Sequence, residues 1–221
     1  MCPVRIKVCG IRTLQDALAA VQEGVHALGF VFAPSPRRVT PETAAAIIKE
    51  LPPFIGKVGV FVNEESGRVR EIAAYCGLDT LQFHGEETAA YCRLFHPYKV
   101  IKAFPVSHSL SVERCREYGG SAILLDTKYA DKKGGGGLVF DWRLALPFCK
   151  GTFPLILAGG LNQDNILGAL KVLRPFGVDI SSGVEKDGLK DQDMIRAFMK
   201  QIRRWEYQQI SRYEKERVEK E

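Results

Sequence analysis

The sequence predicts a single-domain (β/α)8 barrel, an α/β fold in which eight parallel strands alternate with helices. Two observations favour this fold. Strand-like runs recur eight times along the 221 residues, and most are near-continuous apolar runs, as expected for strands buried on both faces of a parallel sheet. A helical segment follows each run, and this alternation fits one compact barrel. The alternative is a doubly wound open sheet, but residues 8–13 read VCGIRT and lack the Gly-x-Gly-x-x-Gly turn expected after its first strand.

Each predicted strand is a short run of mostly apolar residues, and several of these runs end in a polar residue or a glycine. The eight runs are RIKVCG (5–10), ALGFVF (27–32), KVGVFV (57–62), DTLQFHG (79–85), KVIKAF (99–104), AILLDT (122–127), FPLILAGG (153–160) and VDISSGVE (178–185).

The segments between the strands carry helix start and stop signals. Thr13 and Thr40 are N-cap candidates, and Pro41 takes the first helical position after Thr40. Gly24 and Gly77 mark helix ends. The predicted helices cover residues 13–24, 40–51, 64–77, 86–95, 110–120, 141–149 and 162–173, and a last helix begins near residue 191.

The last predicted helix leads into a tail of different composition. Its apolar face consists of residues at helical spacing, namely Ile195, Phe198, Met199, Ile202 and Trp205. The segment 203–221 then alternates six basic with five acidic residues, which favours a solvated helical extension or a frayed tail. We therefore predict a barrel domain over residues 1–204 and a charged C-terminal extension, helical or disordered, over residues 205–221.

Composition argues against several classes of protein. The net charge of +5 and the pI of about 8.9 are mildly basic, whereas nucleic-acid-binding domains typically have a pI above about 9 and a basic patch. No run of about 18 apolar residues is present, so no transmembrane helix is predicted. The first residues, MCPVRIKVCG, lack the apolar core of a signal peptide, which favours the cytoplasm. The six cysteines include no Cys-x-x-Cys pair, which argues against zinc-ribbon and thioredoxin motifs and is consistent with reduced thiols.

In barrels of this kind the active site lies at the carboxyl ends of the strands and in the loops that follow. The loops AGGLN (158–162) and SSGVE (181–185) follow the seventh and eighth strands and predict a phosphate site. Glycines let backbone N–H groups approach an anion, and serines add hydroxyl donors. An ordinary turn is the alternative for each motif alone. The candidate phosphate-binding residues are Gly159, Gly160, Ser181, Ser182 and Gly183.

Cys9 ends the first predicted strand, and Asp126 ends the apolar part of the sixth. A core cysteine and a structural hydrogen-bond acceptor are the alternatives. A thiol and a carboxylate that face each other across a pocket can act as base and acid. We expect arginines and phosphate-site dipoles to lower the thiol pKa toward the thiolate, and a carboxyl group shielded from water to stay protonated. The glycine-rich loop 127–139 is a candidate mobile lid, or a flexible linker.

Eight motifs resemble those of the phosphoribosylanthranilate isomerase family, and they occur in the family's order. They are KVCGIR (7–12), LGFVFAPSPRRV (28–39), VGVFVN (58–63), LQFHGEE (81–87), ILLDTK (123–128), GGGGLVFDW (134–142), LAGGLN (157–162) and GVDISSGVE (177–185). They span about residues 4–202, and the tail beyond about residue 205 is not covered. The resemblance implies a (β/α)8 barrel with no metal or organic cofactor. We expect a small phosphosugar as substrate and a chain that works as a monomer or homodimer.

The resemblance also implies a reaction and assigns residues to it. The reaction is the Amadori rearrangement of N-(5-phosphoribosyl)anthranilate to 1-(2-carboxyphenylamino)-1-deoxyribulose 5-phosphate, a step of L-tryptophan biosynthesis. Asp126 matches the family's general acid, which protonates the furanose oxygen, and Cys9 matches its general base, which removes the proton from C2. Arg38 matches the arginine that binds the anthranilate carboxylate, with Arg37 as the less favoured candidate, because a guanidinium meets a carboxylate with two parallel hydrogen bonds.

Two further residues are predicted to bind substrate, Gln82 and His84, as polar residues of the pocket wall. His84 in FHGEE also invites a metal or general-base role. The other histidines fall away from the pocket face, so no metal site is predicted.

Other functions remain as alternatives. A barrel of the indole-glycerol-phosphate synthase type needs lysine and glutamate at strand ends, and a pentose-phosphate epimerase needs metal-binding histidines and aspartates. Apart from Lys102 within VIKAF, the sequence does not present these sets. A catalytically inactive barrel that binds only a phosphorylated ligand or a partner protein is the third alternative, although the presence of both Cys9 and Asp126 argues against it.

Overall fold

A computed structural model describes residues 3–126, 142–150 and 153–218, with the side chains of the last helix described up to residue 211. Eight parallel strands form a closed barrel in sequence order, and the first strand pairs with the last. They are β1 (Arg5–Cys9), β2 (Ala27–Val31), β3 (Gly56–Phe61), β4 (Thr80–Phe83), β5 (Lys99–Pro105), β6 (Ala122–Asp126), β7 (Leu155–Ala158) and β8 (Gly177–Ile180). The predicted (β/α)8 barrel is confirmed, and each strand overlaps its predicted run.

Helices follow the strands and pack on the outside of the barrel. They are α1 (Leu14–Gln22), α2 (Pro41–Lys49), α3 (Ser66–Cys76), α4 (Ala89–Arg93), α5 (Val112–Glu117), a 3-10 helix (Trp142–Lys150), α6 (Ile166–Leu173) and α7 (Gln192–Val218). The segment predicted as a helix over 141–149 is a 3-10 helix over its described residues. Pro147 lies inside it and has no backbone N–H to donate to an α-helical hydrogen bond.

The helix signals of the sequence have the expected geometry. Thr13 Oγ1 accepts from the Asp16 backbone N at 3.0 Å while the Asp16 carboxylate accepts from the Thr13 backbone N at 3.0 Å, which forms a capping box. Thr40 caps α2 with Pro41 at its first position. Gly77 ends α3 at a φ of 64°, a left-handed conformation that glycine adopts without a steric penalty.

The chain after β8 differs from the predicted strand over 178–185. β8 ends at Ile180, and a short 3-10 helix (Ser182–Val184) follows. A two-stranded antiparallel hairpin then pairs β9 (Glu185–Lys186) with β10 (Leu189–Lys190). Asp187 and Gly188 both have positive φ, as a tight hairpin turn requires, so the Asp-Gly pair was the available sequence signal.

The apolar core has two layers. Inside the barrel, a small aliphatic cluster from β3, β5, β6 and β7 fills the space, with Val58, Ile101, Ala103, Ala122, Leu124, Ile156 and Ala158 as its members. A larger cluster lies between the sheet and the helices. The predicted apolar face of α7 belongs to this outer layer, since Ile195, Phe198, Met199, Ile202 and Trp205 are all buried.

The helix α7 continues beyond residue 204 to Val218. Glu206 on this continuation accepts a hydrogen bond from the Val4 backbone N at 2.6 Å, which ties the helix to the start of β1. Within the described part of the chain, no helix is both long and apolar enough to cross a membrane.

The burial of α7 leads to a stability prediction. Ile202→Ala removes a fully buried side chain between helix and sheet, and we expect it to lower the free energy of unfolding by about 2–5 kcal/mol. Ile210→Ala is the matched control, because Ile210 lies on the same helix with half of its surface exposed, and we expect a change within about 0.5 kcal/mol. Urea denaturation measures both, and equal losses would contradict this packing.

Candidate active site

A cavity of about 390 Å³ opens at the carboxyl ends of the barrel strands. Side chains alternate between the two faces of a strand, so every second residue points into the barrel. Val8 and Ile180 point outward into the outer core, which directs Cys9 and Ser181 inward. The cavity is lined by nine residues predicted to form the site: Cys9, Arg37, Gln82, His84, Asp126, Gly159, Gly160, Ser181 and Ser182.

The wall formed by β4 and β6 carries a short polar chain. His84 Nε2 lies 3.2 Å from Asp126 Oδ2, and His84 Nδ1 lies 3.5 Å from Gln82 Nε2. Asp126 is buried at the end of β6, with a side chain 13% exposed. Contact with His84 holds the Asp126 carboxyl group against the pocket wall, where this group can exchange a proton with a bound molecule.

Cys9 is half-buried at the end of β1, which lies three strands from β6 by the shorter way around the barrel. The expectation of a lowered thiol pKa is wrong for this structure. Burial raises the pKa of the Cys9 thiol above its usual value, and the Lys7 ammonium group only partly opposes this effect. The thiol therefore depends on nearby cations to form a thiolate.

Lys7 and Asp179 form a buried ion pair next to Cys9 that sequence analysis did not identify. Lys7 Nζ lies 2.9 Å from Asp179 Oδ2, and both side chains are less than a tenth exposed. Their strands are neighbours, and Lys7 is in register with Asp179 across the β1–β8 pair. The available signal for Lys7 was its place two residues before Cys9, which puts both side chains on the same face of the strand.

Two acceptor oxygens on the pocket floor have no hydrogen-bond partner among the described residues. They are Gln82 Oε1 and Asp179 Oδ1, both buried. Buried acceptors usually have a donor, and hydroxyl groups of a polyol ligand would supply one.

The rim of the cavity holds a second charged cluster. Arg37 donates from Nε and Nη2 to the two carboxylate oxygens of Glu185 at 2.7 and 2.6 Å, and Lys190 Nζ lies 2.6 Å from Glu185 Oε1. Burial tends to raise the pKa of Glu185, but these cations outweigh it and lower the pKa to about 2. Glu185 is thus a carboxylate that supports the loop after β8.

The two arginines of the SPRRV motif differ in position. Arg37 lines the cavity, but its guanidinium is engaged by Glu185. The Arg38 side chain is exposed and is not among the residues that line the cavity, while its backbone N donates to the Ser35 carbonyl at 3.1 Å.

The predicted phosphate loops lie side by side, with two differences from expectation. Gly159 and Gly160 line the cavity at φ values of 90° and 65°. Ser181 Oγ donates to the Cys9 carbonyl at 2.9 Å, so its hydroxyl proton is used within the protein. Gly183 does not line the cavity, and an added Cβ there would overlap the Leu161 carbonyl oxygen. Gly183 thus allows the loops after β7 and β8 to pack closely.

The described residues contain no group of three His, Cys, Asp or Glu side chains placed to hold a metal ion. The predicted lid over 127–139 lies outside the described residues.

Fold and site together define a class: a (β/α)8-barrel protein with a small-molecule pocket at the carboxyl ends of its strands, equipped with a thiol and a carboxylate. Comparison with known proteins identifies the family. The family profile described as N-(5'-phosphoribosyl)anthranilate isomerase matches residues 6–201. The chain belongs to this family, whose members are isomerases of tryptophan biosynthesis.

Individual relatives agree with this assignment. The N-(5'-phosphoribosyl)anthranilate isomerase of Desulforudis audaxviator is 52% identical over 200 residues, covering 90% of this chain and 97% of that protein. A crystal structure of phosphoribosylanthranilate isomerase in complex with reduced 1-(o-carboxyphenylamino)-1-deoxyribulose 5-phosphate has a TM-score of 0.81 and 45% identity, with 90% and 98% of the two chains covered. Monomers generated from the dimeric enzyme of Thermotoga maritima have a TM-score of 0.80 and 44% identity, with the same coverage.

The close packing at Gly183 leads to a ligand-binding prediction. We expect tens of millimolar inorganic phosphate to raise the melting temperature of the wild type through the loops after β7 and β8. Gly183→Ala pushes these loops apart, so we expect it to remove most of that increase. Gly168→Ala in α6 is the matched control, because an added Cβ there meets no atom within 4 Å and the increase should persist. An equal phosphate response in all three proteins would contradict this site.

Proposed function

We propose that the chain catalyses the Amadori rearrangement of N-(5'-phosphoribosyl)anthranilate to 1-(2-carboxyphenylamino)-1-deoxyribulose 5-phosphate, with Asp126 as general acid and Cys9 as general base. The observation that carries the proposal is that both groups line one cavity of a chain from this isomerase family. They stand on β6 and β1, three strands apart by the shorter way around the barrel. A substrate bound between them can accept a proton from Asp126 at one atom and lose a proton to Cys9 at another.

The first step opens the ribose ring. Asp126 gives its proton to the furanose oxygen, the bond between C1 and that oxygen breaks, and the anilino nitrogen supplies the electron pair that forms a protonated Schiff base. His84, 3.2 Å from Asp126 Oδ2, keeps the carboxyl group oriented toward the cavity. A fixed donor avoids the entropy cost of positioning an acid from solution.

The second step moves the double bond. The Cys9 thiolate removes the proton from C2, and the electron pair of that bond neutralises the iminium nitrogen to give an enolamine. Tautomerisation of the enolamine then yields the ketone at C2. Because protons are only relocated, the product is an isomer of the substrate and no oxidant or reductant is consumed.

The two charged ends of the substrate are assigned to different parts of the rim. The phosphate would bind to backbone N–H groups of the loops at Gly159, Gly160 and Ser182. Arg38 would bind the anthranilate carboxylate, because the guanidinium group of Arg37 already donates two hydrogen bonds to Glu185. The enzyme would work as a monomer or a homodimer. We assign this biosynthetic enzyme to the cytoplasm.

A turnover assay tests the proposal. Anthranilate, phosphoribosyl pyrophosphate and the transferase that joins them generate the unstable substrate in place, and its fluorescence falls as it is consumed. We expect enzyme-dependent turnover, and we expect Cys9→Ala and Asp126→Asn each to lower kcat by about 10²–10⁴-fold with the fold intact by circular dichroism. Cys149→Ala is the control, since this exposed thiol lies outside the cavity and its loss should leave turnover unchanged.

The outcomes separate the alternatives. Wild-type turnover in either pocket variant would remove that residue from the mechanism. If the folded wild-type protein binds phosphate but consumes no substrate, the proposed activity is wrong and the chain is a catalytically inactive barrel that only binds a phosphorylated ligand.

The arginines lead to a prediction about substrate binding. We expect Arg38→Met to raise KM by about 10–100-fold with a smaller change in kcat, since a charge-assisted hydrogen-bonded contact to substrate is lost. Arg37→Met should instead lower the melting temperature, because Glu185 loses a bidentate partner. Steady-state kinetics and thermal unfolding measure the two effects, and a KM effect confined to Arg37→Met would reverse the assignment.

A further inference from the structure

Lys7 is a buried cation beside Cys9 and Asp179, two residues that line the candidate active site, and the proposed mechanism does not use it. Its side chain is 6% exposed and its Nζ lies 2.9 Å from Asp179 Oδ2. Burial acts to lower the pKa of Lys7, but Asp179 and Cys9 outweigh this effect and raise the pKa above its usual value. The ammonium group is therefore charged at neutral pH.

The Lys7 ammonium and the Cys9 sulfur converge on one point in the barrel. Gly29 is the register partner of Cys9 on the neighbouring strand. A Cβ added at Gly29 would lie 2.8 Å from Cys9 Sγ and 3.0 Å from Lys7 Nζ. Glycine at this position thus leaves the space in which the two groups face each other, and a larger residue would displace one of them.

Charged groups from several elements face Cys9, and Lys7 has the strongest influence among the cations. Asp179 on β8 is an anion that disfavours the thiolate, while Lys190 on β10 favours it less strongly than Lys7 does. Arg37, in the loop after β2, also interacts with the thiol, but its guanidinium and Lys190 share the Glu185 carboxylate. Lys7 is the cation whose direct effect best offsets the burial of the sulfur.

We propose that Lys7 is a positioning residue for the Cys9 base, a cation held by Asp179 that supplies the counter-charge for the thiolate. The inference rests on the proposed function, in which that thiolate removes the C2 proton. Asp179 has a double effect here: it fixes the ammonium group through the β1–β8 pair, and its own charge limits how far the thiolate is stabilised.

Alkylation of Cys9 by iodoacetamide tests this role without any substrate. Only the thiolate reacts, so the rate as a function of pH reports the thiol alone, whereas turnover also depends on the Asp126 proton. Peptide mass spectrometry follows the tryptic fragment that contains Cys9 and separates it from the other thiols.

We expect Lys7→Met to slow Cys9 alkylation at pH 8 by at least about tenfold, which corresponds to one unit in the thiol pKa. The double variant Lys7→Met with Asp179→Asn removes both charges and should react at a rate between those of wild type and Lys7→Met. In turnover, kcat should fall for Lys7→Met by a similar factor with little change in KM.

Lys102→Met is the matched control for losing a buried lysine. Lys102 lies on β5, with a side chain 3% exposed and its Nζ 3.2 Å from Glu87 Oε2, but it is not among the charged groups that act on the Cys9 thiol. We expect this variant to lose stability while the Cys9 alkylation profile stays that of the wild type.

The possible results separate this inference from the proposed function. A folded Lys7→Met protein with a wild-type alkylation profile would overturn the role of Lys7. If Lys7→Met does not fold, the double variant decides, because it leaves no unpaired buried charge, and an unchanged profile there overturns the role equally. Wild-type turnover in Cys9→Ala would overturn the proposed base instead, whatever the alkylation profiles are.

Discussion

The ion pair between Lys7 and Asp179 joins the first and last strands of the barrel, and the arrangement of the active-site face depends on that closure. Removing one partner of a buried pair typically costs 3–5 kcal/mol, because the other charge is left without compensation. Closure at this seam also lets Ser181 donate to the Cys9 carbonyl at 2.9 Å. The base at the end of β1 and the loop after β8 are thereby held together, so one contact serves both the fold and the site.

The two-residue alternation of the strands divides the barrel interior into an apolar and a polar part. The aliphatic cluster with Ala122 and Leu124 packs inside the barrel, and the next inward-facing residue on β6 is Asp126. Gln82 and His84 are placed in the same way on β4. The apolar part gives the strands a rigid support, and the polar part lies at the carboxyl ends where loops can close around a ligand. Rigid strands can position catalytic groups more accurately than loops can.

Much of the fold and part of the site could be predicted from the sequence. Apolar runs and helix caps specify local structure. Eight β–α repeats leave few ways to bury the sheet, so the sequence was sufficient to predict the barrel. Strand ends indicated Cys9 and Asp126 because position along a strand determines which end of the barrel a residue occupies. The expected lowering of the Cys9 thiol pKa was wrong, because burial raises this pKa and the burial of a side chain depends on packing across strands. The occupied guanidinium of Arg37 and the close packing at Gly183 likewise depend on contacts between segments about 148 and 22 residues apart.

The assignment of Asp126 as the acid and Cys9 as the base is tested most directly by a crystal structure of this chain with a reduced analogue of the ketone product. We expect the phosphate to contact the loops after β7 and β8, and Cys9 Sγ to lie within about 3.5 Å of the sugar C2, with Asp126 on the other side of the sugar chain. A ligand bound with C2 far from the sulfur, or with Cys9 and Asp126 on the same side of it, would contradict the acid and base assignment. The same structure would report whether Arg38 or Arg37 contacts the carboxylate.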